Sequence, residues 1–120
     1  MSSDLYRRLV KVMEENRLFL DQNLTRQALA KAAGTNRTYL SKALSDSGTN
    51  FYDFVNSYRL EYALGLLVRE EFRNTDIEEI AVVSGFPDGK MFSKCLKKSA
   101  GFTAGAYREY VLDGTARVQP

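Results

Sequence analysis

The most constraining feature of this sequence is an internal repeat. A helix-forming stretch, a glycine and a second helix-forming stretch occur twice. The matching positions are Leu29, Ala30, Gly34 and residues 40–44 (LSKAL) in the first copy, and Ile80, Ala81, Gly85 and residues 92–96 (FSKCL) in the second. Glycine adopts the left-handed conformation at a helix end at the lowest cost, so each copy predicts two helices separated by a tight turn.

The rest of the chain also has helical periodicity. Apolar residues recur at intervals of three and four, and no segment shows sustained two-residue alternation. The sequence therefore predicts an all-α fold of about seven helices, with two helix-turn-helix subdomains joined by a long linker helix. The predicted divisions are an N-terminal helix plus the first helix-turn-helix (residues 1–49), the linker helix (50–72), the second helix-turn-helix with a closing helix (73–112) and a flexible tail (113–120).

Individual residues predict details of these helices. Thr25, Asn36 and Thr75 have side chains that can cap the helix that follows. Residues 1–23 are expected to form one packing helix. The inward face of the second helix in the first copy is expected to consist of Tyr39, Leu40, Ala43 and Leu44.

The net charge of +2 conceals an uneven distribution. Residues 24–49 carry four positive and one negative side chains, residues 50–79 carry three and seven, and residues 80–120 carry six and three. Two basic blocks therefore flank an acidic one, and each basic block contains the second helix of one copy. Such asymmetry favours a polyanionic partner, and solvated helix faces are the alternative.

The second helix of the first copy has an apolar side and a polar edge. The edge carries basic and hydroxyl side chains: Arg37, Thr38, Ser41 and Lys42. A helix that follows another after a tight turn can protrude into the major groove of DNA, where such side chains meet base edges and phosphates. The linker helix, about 27 Å long, can with its flanks bridge the roughly 34 Å between successive major grooves.

Catalysis and membrane insertion have little support in the composition. The chain has no histidine and a single cysteine, Cys95, so histidine catalysis and a zinc site are excluded. We predict no catalytic residues, no metal site and no cofactor, and expect that the chain is not an enzyme. No apolar run approaches the roughly 20 residues that span a bilayer, and no signal segment is evident. One cysteine cannot form an internal disulfide, so we expect the cytoplasm and no membrane contact by this segment.

Five stretches together form a specific pattern: NRTYLSKAL with the glycine that follows it, FVNSYRLEYALGLL, IEEIAVVSGF, MFSKCLKKSAG and GFTAGAYR. Over about residues 5 to 112 this pattern resembles the DNA-binding domain of the AraC/XylS family of bacterial transcription regulators. The resemblance implies two recognition helices that enter adjacent major grooves, and a chain that contacts DNA largely as a monomer.

The resemblance also implies which residues contact DNA. They are Arg37, Thr38, Ser41 and Lys42 in the first recognition helix and Gly89, Lys90, Ser93 and Lys94 in the second. Three positions depart from the family pattern: Pro87 replaces a usual serine cap, Gly89 replaces a polar reader, and Ala104 replaces a proline. These departures leave the predicted fold unchanged and favour a reduced role in base reading for the second unit.

Lysines dominate the second recognition helix. Lys90, Lys94 and Lys98 lie four residues apart and share a helix face, and Lys97 is adjacent. We include Lys97 and Lys98 among the DNA-contacting residues, because this composition suits phosphates better than bases. The sequence thus predicts specificity mainly in the first unit and general affinity mainly in the second.

The expected function is sequence-specific binding of double-stranded promoter or operator DNA for transcription regulation. The alternative is a helical protein–protein interaction module without DNA binding, which would dock through the acidic linker and a tyrosine-rich surface. RNA polymerase is a further expected partner, as is an N-terminal sensor or receiver region of a longer chain. The abrupt start MSSDLYRR favours an excised C-terminal domain, and a short stand-alone regulator stays open.

Overall fold

The structure is a computed structural model that describes residues 2–101 and 103–118, with side chains for those up to residue 112. Within these residues the chain is helical and has no strand. It forms seven α-helices there: α1 Ser2–Asn16, α2 Arg26–Ala32, α3 Arg37–Asp46, α4 Phe51–Leu67, α5 Ile77–Val83, α6 Gly89–Ala100 and α7 Ala104–Val118. Two short 3-10 helices are Leu18–Leu20 and Glu70–Phe72. The predicted all-α fold, with the helix-turn-helix pairs α2–α3 and α5–α6 and the long helix α4 between them, is confirmed.

The chain forms two compact units, Met1–Tyr58 and Arg59–Pro120. The boundary falls within α4, so this helix contributes residues to both units. The finer predicted division at residues 49/50 and 72/73 stays a prediction. The predicted flexible tail, residues 113–120, lies outside the residues whose side chains the structure describes.

The core of the first unit forms where α1 packs against α3. The buried residues of α1 are spaced four apart on one face, as an amphipathic helix requires: Leu5, Leu9 and Met13. The buried residues of α3 are Leu40, Ala43 and Leu44. Because α1 covers the apolar side of α3, the opposite side of α3 is left to solvent.

The first helix is shorter than the sequence indicates. α1 ends at Asn16, and Arg17 adopts the left-handed conformation with φ of 50°. The prediction of one helix over residues 1–23 is therefore wrong. The turn at Arg17 brings Phe19 into the core of the first unit, where its ring stacks on that of Tyr58 with 5.6 Å between centroids.

The turns of the two helix-turn-helix pairs are closed by the same hydrogen bonds. The glycines at residues 34 and 85 have φ of 72° and 99°, in the left-handed region. The N–H that follows each glycine donates to an alanine carbonyl in the preceding helix, at 2.8 Å from Thr35 to Ala30 and at 3.0 Å from Phe86 to Ala81. This is the Schellman arrangement at a helix C-terminus. The repeat in the sequence is thus a repeat in backbone structure.

The core of the second unit centres on two phenylalanines. Phe86 and Phe92 are fully buried, and their ring centroids lie 5.4 Å apart. The buried cluster around them also contains Ala63, Leu66, Leu67, Ile80, Ala81, Leu96 and Ala104. Since Phe92 and Leu96 lie on α6, the apolar side of this helix is fixed against α5 and the end of α4.

Two of the three predicted helix caps are confirmed. The side-chain oxygens of Thr25 and Asn36 accept hydrogen bonds from backbone N–H groups three residues later, at 3.1 Å and 2.9 Å. The prediction for Thr75 is wrong, because α5 starts one residue later than expected and Asp76 occupies the N-cap position without a side-chain bond. The carbonyl of Thr75 instead accepts a hydrogen bond from the Arg108 guanidinium.

The departures at Pro87 and Ala104 leave the helices that follow them capped. Asp88, and not residue 87, is the N-cap of α6, and its carboxylate accepts from the N–H of Met91 at 2.9 Å. Ala104 begins α7 and is buried, while the hydroxyl of Thr103 accepts from the N–H of Ala106 at 3.1 Å. Neither departure leaves the N-terminus of the following helix without a cap.

Candidate nucleic-acid interface

The predicted polar edge of the first recognition helix is present on α3. Its four side chains are all exposed: Arg37, Thr38, Ser41 and Lys42. They occupy the side of α3 opposite to its buried leucines. The structure therefore brings the four predicted residues together on one accessible surface, which we call the α3 edge.

Tyr39 also lies on this exposed side. Its side chain is 60% exposed, so the prediction that it points inward is wrong. Leu40, Ala43 and Leu44 are the buried residues of α3, whereas Tyr39 lines an open groove beside Leu5 and Arg8 of α1. An aromatic ring with a hydroxyl thus stands beside Thr38 at the start of the recognition helix.

Lys42 forms an ion pair at the surface of α3. Its Nζ lies 3.3 Å from the Asp46 carboxylate one turn later, and the two side chains are 66% and 46% exposed. A hydrogen bond from Ser2, and then the one from Lys42, lower the pKa of Asp46 below its usual value. Exposed pairs of this kind are weak and screened by salt. Lys42 can therefore exchange Asp46 for a DNA group at little cost.

The second recognition helix presents a lysine surface. Four lysines of α6 are exposed: Lys90, Lys94, Lys97 and Lys98. Ser93 lies among them and is half-buried, while Phe92 and Leu96 are buried on the other side of α6. We call the exposed lysines and Ser93 the α6 edge. A flexible stem that carries a compact charge suits a phosphate contact, which needs no fixed fork geometry.

Gly89 is the predicted site residue that is buried. It is buried at the first position of α6, and its N–H donates to the Glu78 carboxylate at 2.7 Å. Its contact with DNA stays a prediction. The first exposed side chain of the α6 edge is consequently that of Lys90.

Arg8 on α1 is a candidate that the sequence did not reveal. Its side chain is exposed, and its Nη1 lies 4.0 Å from the position that a Cβ on Gly34 would occupy. A groove of about 330 Å³ connects it to the α3 edge, lined by Ser2, Leu5, Arg8, Thr35, Tyr39 and Lys42. Nothing in the sequence links residue 8 to the turn at residue 34, because the packing of α1 on α3 creates this proximity.

The described part of the chain can be compared with the requirements of two other kinds of site, a membrane-spanning helix and a metal site. No helix there has the length and apolar character needed to cross a membrane. Among the same residues, no three or more histidine, cysteine, aspartate or glutamate side chains form a group that could hold a metal ion. Cys95 is half-buried and packs against the core of the second unit.

Comparisons with known proteins agree with this geometry. A family model described as a helix-turn-helix domain matches residues 29–110, more than half of the chain. The chain is 34% identical over 82 residues to the TCP pilus virulence regulatory protein of Vibrio cholerae. This alignment covers 68% of this chain and 28% of the relative. It is 31% identical over 101 residues to the HTH-type transcriptional regulator GlxA of Rhizobium meliloti (83% and 30% covered). It is 29% identical over 113 residues to the transcriptional activator NphR of a Rhodococcus species (90% and 32%).

A solved structure supports the fold independently. The structure of a DNA-binding transcriptional dual regulator from Escherichia coli K-12 superposes with a TM-score of 0.73 at 23% identity, covering 88% of this chain and 95% of that one. The chain spans only about a third of the length of the curated relatives described above. The chain belongs to the AraC/XylS-type helix-turn-helix family of DNA-binding transcription regulators, as the family match, the sequence identities and the repeated helix-turn-helix pairs together show.

Proposed function

We propose that this chain binds specific sites on double-stranded DNA to regulate transcription, with α3 and α6 as recognition helices in successive major grooves. The observation that carries the proposal is the duplicated arrangement: each helix-turn-helix pair exposes a basic edge on its second helix. The major groove admits one α-helix, and successive grooves on one face of DNA lie about 34 Å apart. Two recognition helices therefore suit two half-sites about one helical turn apart.

The α3 edge supplies groups that can distinguish bases. Arg37 and Lys42 are donors, and the hydroxyls of Thr38 and Ser41 both donate and accept. Basic side chains pair with guanine in the major groove, and hydroxyls can pair with several base edges. We therefore assign base reading mainly to these four residues.

The α6 edge supplies mostly positive charge. Lys90 and Lys94, with Ser93 between them, are nearest the start of the helix, and Lys97 and Lys98 follow in its last turn. We assign the last two to phosphates and the first three to phosphates or bases. The predicted contact at Gly89 has no side chain, and its N–H already has an acceptor in Glu78.

Arg8 is proposed as an additional phosphate contact of the first unit. Its side chain is exposed beside the α3 edge, and within the described residues it has no hydrogen bond or ion pair. The neighbouring Arg7 differs, since its guanidinium lies 3.3 Å from the Asp4 carboxylate. Arg8 can therefore meet a phosphate without leaving another partner.

The proposal predicts a strong dependence of DNA affinity on salt. If about six phosphates are neutralised, the logarithm of the association constant should fall with the logarithm of salt concentration at a slope of about −5, because counterions are released. The measurement is a titration of labelled promoter DNA at several salt concentrations. Affinity independent of salt, or no binding to any promoter fragment at low salt, would contradict the proposal.

Two alanine variants test the role of Arg8 in the same titration. Arg8→Ala should reduce the steepness of the salt dependence by about one unit, as expected when one phosphate interaction is removed. Arg7→Ala is the matched control, since it removes the same charge from the same helix. It should reduce the salt slope by less than Arg8→Ala does. Equal effects of the two changes would show that only the total charge matters.

Two further partners and a cellular location are proposed from general properties of transcription regulators and from the length of the relatives. We assign RNA polymerase as a partner because transcription regulators act on it, and the cytoplasm because bacterial promoter DNA is found there. A sensor or receiver region N-terminal to this domain in a longer chain is supported by the greater length of the curated relatives.

A further inference from the structure

The start of the second recognition helix is held by a side chain from the helix before it. Glu78 lies in the first turn of α5, and its Oε2 accepts a hydrogen bond of 2.7 Å from the N–H of Gly89. Asp88 satisfies a second N–H of the same helix end, that of Met91, at 2.9 Å. The first N–H groups of a helix have no partner within the helix and form its positive end, so both carboxylates are well placed there.

With the Glu78 carboxylate in this position, there is no room for a side chain on residue 89. A Cβ added to Gly89 would lie 2.5 Å from Glu78 Oε2 and 3.3 Å from Glu78 Cα. The first distance is an overlap with the end of an exposed, flexible side chain, which a methyl group would displace, and the second is a tight contact with the backbone. The φ of Gly89 is outside the left-handed region, so the need for glycine comes from space and not from backbone conformation.

The first unit provides an internal comparison. Its recognition helix also begins just after a capping residue, but the first position is Arg37, which is exposed. The position in α2 that corresponds to Glu78 is Gln27, which is also exposed. The pairing of Glu78 with Gly89 is therefore particular to the second copy.

We infer that Glu78 is a positioning residue for the second recognition helix, and that Gly89 is the residue that admits it. The hydrogen bond ties the beginning of α6 to α5, and so sets where Lys90, Ser93 and Lys94 stand. It also fills the helix end that an anion would otherwise occupy, which leaves phosphate binding in this unit to the lysines. The consequence for DNA reading rests on the proposed function, whereas the tie between α5 and α6 does not.

The first test is a double-mutant cycle on stability, which needs no DNA. Gly89→Ala should raise the equilibrium constant for unfolding by about threefold to tenfold, because the new methyl group displaces the Glu78 carboxylate and breaks its hydrogen bond to the N–H of residue 89. In the Glu78→Ala background the same change should cost clearly less, since the overlapping carboxylate is gone. Urea unfolding of the four proteins measures this coupling. Equal costs in the two backgrounds would overturn the pairing.

The second test is base discrimination at the two half-sites. Glu78→Ala should reduce discrimination at the half-site of α6 by roughly tenfold, comparable to the removal of one base interaction, and should leave the other half-site unchanged. Glu78→Gln should retain discrimination, because the amide oxygen can still accept from Gly89. Glu79→Ala is the matched control, since it removes an equally charged, exposed side chain from the adjacent position of α5.

The outcomes of this second test separate the possible failures. A uniform loss at both half-sites, or an equal effect of Glu79→Ala, would overturn the positioning role. A normal discrimination pattern in Glu78→Ala under conditions where it is folded would overturn it as well. The unaltered chain could also fail to bind DNA while the double-mutant cycle shows coupling between Glu78 and Gly89. That result would contradict the proposed function and would still support the hydrogen-bonded contact between α5 and α6.

Discussion

Replacing Phe92 with alanine is expected to lower the free energy of unfolding by about 3–5 kcal/mol, the usual cost of removing a buried aromatic ring. The side chain is fully buried, and its ring lies 5.4 Å from that of Phe86 at the centre of the second unit. Because Phe92 is also the main apolar anchor of α6, DNA affinity should fall along with stability. The loss of stability is measured by urea denaturation monitored by circular dichroism.

Tyr110→Ala provides the control for Phe92→Ala. Tyr110 is 74% exposed in the same unit, so this change should alter stability by no more than about 0.5 kcal/mol. If Phe92→Ala unfolds at the same urea concentration as the unaltered protein, the description of this core is wrong. A large effect of Tyr110→Ala would equally contradict it.

The second large effect expected is a division of labour between the two recognition helices. Arg37→Ala or Lys42→Ala should relax the preference for particular base pairs, by about 1–3 kcal/mol for each good base interaction that the change removes. Lys97→Ala or Lys98→Ala should weaken binding to all sequences alike, and each should reduce the salt slope by about one unit. The reason is that the α3 edge mixes donors and acceptors, whereas the last turn of α6 carries lysines.

Binding to matched and scrambled sites distinguishes these effects. Each variant is titrated against both kinds of DNA at the same salt concentration, and the ratio of affinities reports discrimination. If Lys97→Ala changes this ratio while Arg37→Ala leaves it intact, the assignment of the two edges is reversed.

Much of the fold follows from local sequence signals. The glycines at residues 34 and 85 end their helices through local hydrogen bonds, and Thr25 and Asn36 cap within three residues, so no distant contact is needed to predict them. The repeat then extends each local prediction to a second copy. The exposure of the α3 edge follows from helical periodicity alone.

The errors arise where tertiary packing decides. The end of α1 depends on a left-handed Arg17, a conformation that few sequences signal, and on the burial of Phe19. The outward position of Tyr39 depends on how far the contact between α1 and α3 extends. The roles of Arg8 and of the Glu78 carboxylate depend on contacts across 26 and 11 residues of sequence. Periodicity and capping carry no information about such contacts.

Selection of bound fragments from a pool of random double-stranded DNA tests the central claim most directly. If α3 and α6 read successive major grooves, the enriched sequences should share two blocks of preferred bases whose centres lie about 10 base pairs apart. The block assigned to α3 should be the more strongly conserved, and Arg37→Ala should alter it while leaving the other block in place. Failure to enrich any sequence, or a single short block that Arg37→Ala leaves unchanged, would contradict the proposed mode of DNA recognition.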